Sequence, residues 1–151
     1  MKKLGLGFAM RIATEHLSYR SLIEEIETDL ERVRPAETTS TESLLRLLES
    51  FYSQVRGHFA LEEKGGLFEV YQEQDFAFRQ QAAAMLDQHR DFLERMRRIQ
   101  DIAGTIDRPD GPEFEHCARD LHELFRALRE HEQTEDALLE RLVEQDIRHE
   151  S

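Results

Sequence analysis

Apolar residues recur along this chain at alternating steps of three and four, the spacing of helices that bury one face. Four amphipathic helices are predicted. The first has Ile12, His16, Tyr19, Ile23, Ile26, Leu30 and Val33 on its seam, and Pro35 stops it. Thr39 and Glu42 have capping-box spacing and start the second. Its seam is Leu44, Leu48, Phe51, Val55, His58 and Glu62, until Gly65-Gly66 breaks or bends the helix. Leu67 to Asp75 reads either as a short helix or as a helical extension. The third seam is Ala82, Met85, His89, Phe92, Met96, Ile99 and Ala103, ended by Gly104, and Asp107 to Pro112 is a turn-rich connection. Pro112 suits the first turn of the fourth helix. That helix carries Phe114, Cys117, Leu121, Leu124, Leu128, His131, Glu135, Leu138 and Leu142, and its tail is expected to fray from about Arg148.

Short connections, no strand pattern, no long crossover and no internal repeat imply an all-α fold, an antiparallel up-down-up-down four-helix bundle. A chain of 151 residues suits one domain over 1–151, with its core at about 8–147. Hydrophobic content of 39% against 34% charged separates it from disordered chains.

The formal net charge of -12 repels phosphate backbones and anionic lipids, so neither nucleic acid nor a membrane surface is expected as a partner. No apolar stretch approaches the ~18–20 residues of a membrane span. Met1-Lys2-Lys3 followed by Leu4 to Met10 faintly resembles a signal peptide. The run is short, contains two glycines and meets Arg11 where the first helical pattern has already begun. Cys117 is the only cysteine, which excludes an intramolecular disulfide and a thiolate zinc site. Both features fit a cytoplasmic protein.

Each predicted helix has one histidine on its seam: His16, His58, His89 and His131. Glu62 and Glu135 stand four residues after the second and fourth, on the same helix face. A single seam histidine is ordinarily a hydrogen-bonded core residue. About two in seven heptad positions face the core, so chance places about two of the seven histidines there; four occupy such positions, one per helix. Antiparallel packing brings His16 level with His58 and Glu62, and His89 level with His131 and Glu135. Without a metal, burying this set leaves polar groups unpaired at a cost of several kcal/mol. Imidazoles with carboxylates in a bundle core favour a pair of non-haem iron ions; zinc and manganese also suit the donors. Met85, Phe92, Met96 and Leu128 are core residues that would also keep such a site dry. His116, His122 and His149 read as surface residues. Two ExxH motifs, which ferritin-type ferroxidases need, are not found: only Glu113 to His116 has that spacing, off the seam. HExxH is absent, which removes the common zinc-protease reading.

The histidine early in the first helix, HFALE (His58 to Glu62), DQHRDF around His89 and HEQTED (His131 to Asp136) together resemble the hemerythrin-like, or HHE cation-binding, family over nearly the whole chain. The EEKGG continuation resembles bacterial members. The resemblance implies one iron on His16 and His58, another on His89 and His131, and a bridge through Glu62. The second bridge is Glu135 or Asp136, since both HxxxE and HxxxxD spacings occur in the family; the seam register favours Glu135. Oxygen-carrying members have a further histidine four residues after the one in the third helix, where this chain has Leu93. That loss leaves an iron more open and disfavours reversible oxygen carriage. Iron-sensing domains of eukaryotic ubiquitin ligases are more similar in ligand count. They often place an acid directly after the histidine of the second helix, where this chain has Phe59. Tyr19, one turn from His16, is a candidate hydrogen-bond donor beside the ligands.

The resemblance implies a protein that binds or senses oxygen, nitric oxide, peroxide or iron. Its expected partner is a small diatomic ligand or peroxide, and a protein partner or homodimer stays open. No output domain is expected within this length. The alternative is a di-iron enzyme: an oxidase, a peroxidase or a nitric-oxide-handling catalyst. A metal-free helical interaction protein is the third reading.

Overall fold

The computed structural model describes residues 4–33, 42–106 and 111–150. Pro35, Thr39 and most of the Asp107–Pro112 connection lie outside the described residues, as do the side chains of Val33 and His149. The elements are α1 (Leu6–Val33), α2 (Glu42–Lys64), α3 (Leu67–Gln72), α4 (Phe76–Ala103) and α5 (Pro112–Glu150), with no strand among the described residues. The four long helices form a square: α1 packs on α2, α2 on α4, α4 on α5, and α5 back on α1. Contacts run antiparallel. Along α1 and α2, His16 meets His58 and Tyr19 meets Phe51; along α1 and α5, Arg20 meets Glu132 and Glu27 meets Arg129. This is the expected bundle.

The described seam positions are all buried. Two apolar clusters result. The larger runs from Tyr19, Ile23 and Phe51 to Phe92, Phe125 and Leu128; the smaller gathers Ile12, Leu67, Tyr71, Phe78, Met85 and Leu138. On α1, α4 and α5 the residues His16, His89, His131 and Glu135 fall between the two clusters in sequence position, and with His58 and Glu62 at the end of α2 they form a polar layer across the core.

The Leu67–Asp75 segment resolves into a separate helix rather than an extension. Gly66 takes φ of 90°, in the left-handed region open to glycine, and this turn ends α2 and re-aims the chain. The six residues of α3 then bury Leu67, Val70 and Tyr71 against α2 and α4. The Asp75 side chain accepts from the Phe78 backbone N–H at 2.8 Å and starts α4. α4 ends at Gly104 as expected, though Gly104 keeps a right-handed conformation. α5 continues to Glu150.

Candidate metal centre

The i, i+4 spacing on α2 and α5 aims His58 with Glu62, and His131 with Glu135, into the square from opposite corners. α1 supplies His16 and α4 supplies His89. All six side chains are at most 3% exposed. Their inner atoms converge. His16 Nε2 lies 3.0 Å from His58 Nε2 and 2.9 Å from Glu135 Oε1; His58 Nε2 lies 3.1 Å from Glu62 Oε1. On the far side His89 Nε2 lies 3.5 Å from Glu62 Oε1, and His131 Nε2 lies 3.8 Å from Glu135 Oε2. Two groups of potential donor atoms emerge: His16, His58, Glu62 and Glu135; and His89, His131 and Glu135. Within each group the atoms lie within 4.8 Å of one another. Asp136 is outside this cluster: its side chain is 41% exposed and meets the outer nitrogen of His16.

Several inner atoms have no hydrogen-bond partner: both Glu62 oxygens, Glu135 Oε2, and Nε2 of His89 and His131. An orphaned buried polar atom costs about 1–3 kcal/mol, more when charged. A set of orphans on converging imidazoles and carboxylates is what cations of intermediate hardness would satisfy. The donors therefore fit a metal pair.

The outer nitrogens are held from the other side. His16 Nδ1 lies 2.8 Å from Asp136 Oδ1, His58 Nδ1 3.2 Å from Glu15 Oε1, and His131 Nδ1 2.7 Å from Gln88 Oε1. His89 Nδ1 makes no hydrogen bond; the nearest carboxylate is Glu63, at 3.8 Å. Such outer acceptors fix ring orientation and the Nδ1–H tautomer, which leaves Nε2 free to coordinate.

In the metal-free protein the four imidazoles divide. Burial works against protonation of His16, yet its bonds to Asp136 and Glu135 hold its pKa up at about 9. His58, likewise buried, is held at about 10 by Glu135 and Glu62. Burial and the neighbouring His131 push His89 down to about 3, and burial lowers His131. Burial and the adjacent Glu135 carboxylate raise Glu62. Burial works against ionisation of Glu135 too, but the adjacent Glu62, His16 and His58 keep its pKa below the usual range.

The family model for the hemerythrin HHE cation-binding domain matches residues 10–143. The chain belongs to the hemerythrin HHE cation-binding family. No curated protein and no solved structure gives a match.

A hemerythrin HHE domain is a helical, cation-binding unit, and the buried His/Glu layer is compatible with that role. No helix among the described residues is long and apolar enough to cross a membrane. Two positions singled out by the resemblance, Leu93 and Phe59, have definite surroundings in the structure. Leu93 is partly buried and packs on the larger apolar cluster. Phe59 is buried and stacks flat on His89, with ring centroids 3.8 Å apart and planes 5° apart. It supplies apolar contact where an acid would supply charge. Tyr19 lies with its ring edge-on to both His16 and His58, at 5.6 and 5.4 Å. Its hydroxyl has no hydrogen-bond partner, and burial together with the nearby Glu132 strongly disfavours its ionisation.

Periodicity did not point to Glu15, Gln88 or Glu132. Glu132 is fully buried; its Oε2 accepts from Arg20 Nε at 2.6 Å, and Arg20 also reaches Asp136 at 3.2 Å. The available signal was Arg20, one turn beyond His16, opposite the acid-rich HEQTED stretch. His116 and His122 lie on the exposed side of α5, with side chains 65% and 47% exposed.

Proposed function

We propose that this chain is a non-haem di-iron protein that binds or senses oxygen, nitric oxide, peroxide or iron within its polar layer. The reading assigns His16 and His58 to one iron, His89 and His131 to the other, and Glu62 and Glu135 as bridges. Glu135 is preferred to Asp136 because its two oxygens face opposite halves of the layer, 2.9 Å from His16 Nε2 and 3.8 Å from His131 Nε2. The observation that carries the reading is the set of orphaned inner atoms on side chains that are at most 3% exposed. Zinc or manganese would fit the same donors.

An iron pair, when bound, supplies redox change and open positions for small ligands. The chain supplies the rest. Asp136, Glu15 and Gln88 orient three rings. Phe59, Phe92 and Leu128 exclude water from beneath, and Tyr71 and Met85 from above. Solvent approaches the outer faces: among the described residues a groove of about 460 Å³ between α1 and α2 reaches His58, and one of about 410 Å³ between α4 and α5 reaches His131. We read the chain as one domain in the cytoplasm. Metal loading would stabilise the bundle, so ion or ligand occupancy is readable as a change in stability.

Metal analysis with anaerobic optical spectroscopy tests this reading. The expected result is close to two irons per chain and a visible absorption that changes reversibly between reduced and oxygen-exposed protein. Rapid irreversible oxidation or peroxide turnover would move the assignment to a di-iron enzyme. A stable protein that takes up no metal would leave only a helical interaction module.

A further inference from the structure

The two halves of the polar layer are built differently. Around His16 and His58, four potential donors lie within 4.8 Å of one another; around His89 and His131, three do, and Glu62, which also lies 3.5 Å from His89 Nε2, sits closer to the first half, at 3.1 Å from His58 Nε2. The outer acceptors differ as well. His16 and His58 each have a carboxylate on Nδ1, from Asp136 at 2.8 Å and Glu15 at 3.2 Å. His131 has only the neutral amide oxygen of Gln88, and His89 has no hydrogen bond on Nδ1. A carboxylate pulling on Nδ1–H makes Nε2 a stronger donor and adds negative charge near a bound cation. Arg20 and Arg11 anchor these two carboxylates, at 3.2 and 3.3 Å. They soften the added charge but fix the acceptors in place. On the other half Phe59 stacks on His89, and the carboxylate near its Nδ1, Glu63, stands 3.8 Å away, beyond hydrogen-bond distance.

We infer that the two cation positions are unequal by construction: the His16/His58 position fills first and retains its ion, while the His89/His131 position is the exchangeable one, and Asp136 and Glu15 set the difference. This rests on the metal-binding reading above but specifies an order that the reading does not require. Asp136 and Glu15 are positioning residues here, acting through the imidazoles they hold.

Calorimetric titration of the metal-free 151-residue chain with Zn(II), a redox-inert probe, tests the order. Wild type should show two events separated by at least about tenfold in affinity. Asp136→Asn combined with Glu15→Gln should weaken the tighter event by about 10–100-fold, the usual effect of losing such acceptors, and leave the weaker one unchanged. His131→Ala should remove the weaker event and spare the tighter. Gln88→Glu, which puts a carboxylate on the second half, should tighten the weaker event; it serves if the double variant fails to fold by circular dichroism. Two equal events in wild type, or loss confined to the weaker event in the double variant, overturn the inference while leaving the metal reading intact. A wild-type chain that binds no zinc and no iron overturns both.

Discussion

The polar layer and the larger apolar cluster beside it are equally hidden from solvent, yet they are held together in opposite ways. Phe51, Phe125 and Leu128 are satisfied by their neighbours alone: burying each is favourable by about 1.5–3 kcal/mol, and the Phe51 and Phe125 rings meet edge-on at 5.3 Å. Glu62, His89 and His131 retain inner atoms without partners, so the same degree of burial is unfavourable until something else occupies the space between them. One region of the bundle is complete as folded. On the proposed reading the other is complete only with a cation, and this difference would tie stability to occupancy.

The widest separation between the regions should come from Glu62→Leu. It removes a donor shared between both halves, so metal content measured by plasma mass spectrometry should fall from two ions toward zero. The stabilisation lost at a thousandfold excess of metal over its Kd is about 4 kcal/mol, or a Tm lower by roughly 10–15 °C. In metal-free protein the loss should be smaller, because leucine relieves the desolvation of a buried carboxyl while depriving His58 Nε2 of a neighbour at 3.1 Å. A Tm that falls equally with and without metal would erase the contrast. Leu128→Ala probes the neighbouring core: denaturant unfolding should lose about 2–5 kcal/mol in both states while metal content stays near two.

Acid and base should act on the metal-free layer more gently and from both sides. His89 and His131 have folded pKa values below the unfolded value of about 6.5, so their contribution is intact above that pH and lost as pH falls toward about 3 for His89. His16 and His58 are raised, so theirs is intact below about 6.5 and lost as pH climbs through about 9 and about 10. Metal-free stability should peak near neutrality, with slopes of up to about 1.4 kcal/mol per pH unit for each proton. A flat profile from pH 4 to 9 in urea titrations would contradict these environments. The smallest effect belongs to the exposed His122: His122→Ala should leave metal content unchanged and stability within about 0.5 kcal/mol.

Heptad periodicity made the bundle and its inward histidines legible, because a seam at steps of three and four is a property of one helix read alone. It did not reveal Phe59 or Glu132, which sit beside the seam. They are buried because each long helix packs on two neighbours and so hides a stripe wider than a two-position seam. Glu132 looks like one more surface acid in HEQTED until Arg20 of α1 is seen to reach it. The choice between Glu135 and Asp136 was open in sequence for a similar reason. Adjacent residues on a helix differ by about 100° in direction, and only the packing of α1 against α5 determines which faces the cluster and which faces the back of His16. The segment after Gly65-Gly66 was ambiguous because one left-handed residue at Gly66 decides between a continued and a redirected helix.

Anomalous X-ray scattering at the iron edge, on crystals of the iron-loaded chain, bears most directly on the claim that a cation pair completes this layer. The account predicts two peaks inside the bundle, one beside His16 and His58 and one beside His89 and His131, with Glu62 and Glu135 between them. Peaks confined to surface carboxylates, or an iron-free interior around side chains arranged as they are here, would contradict it.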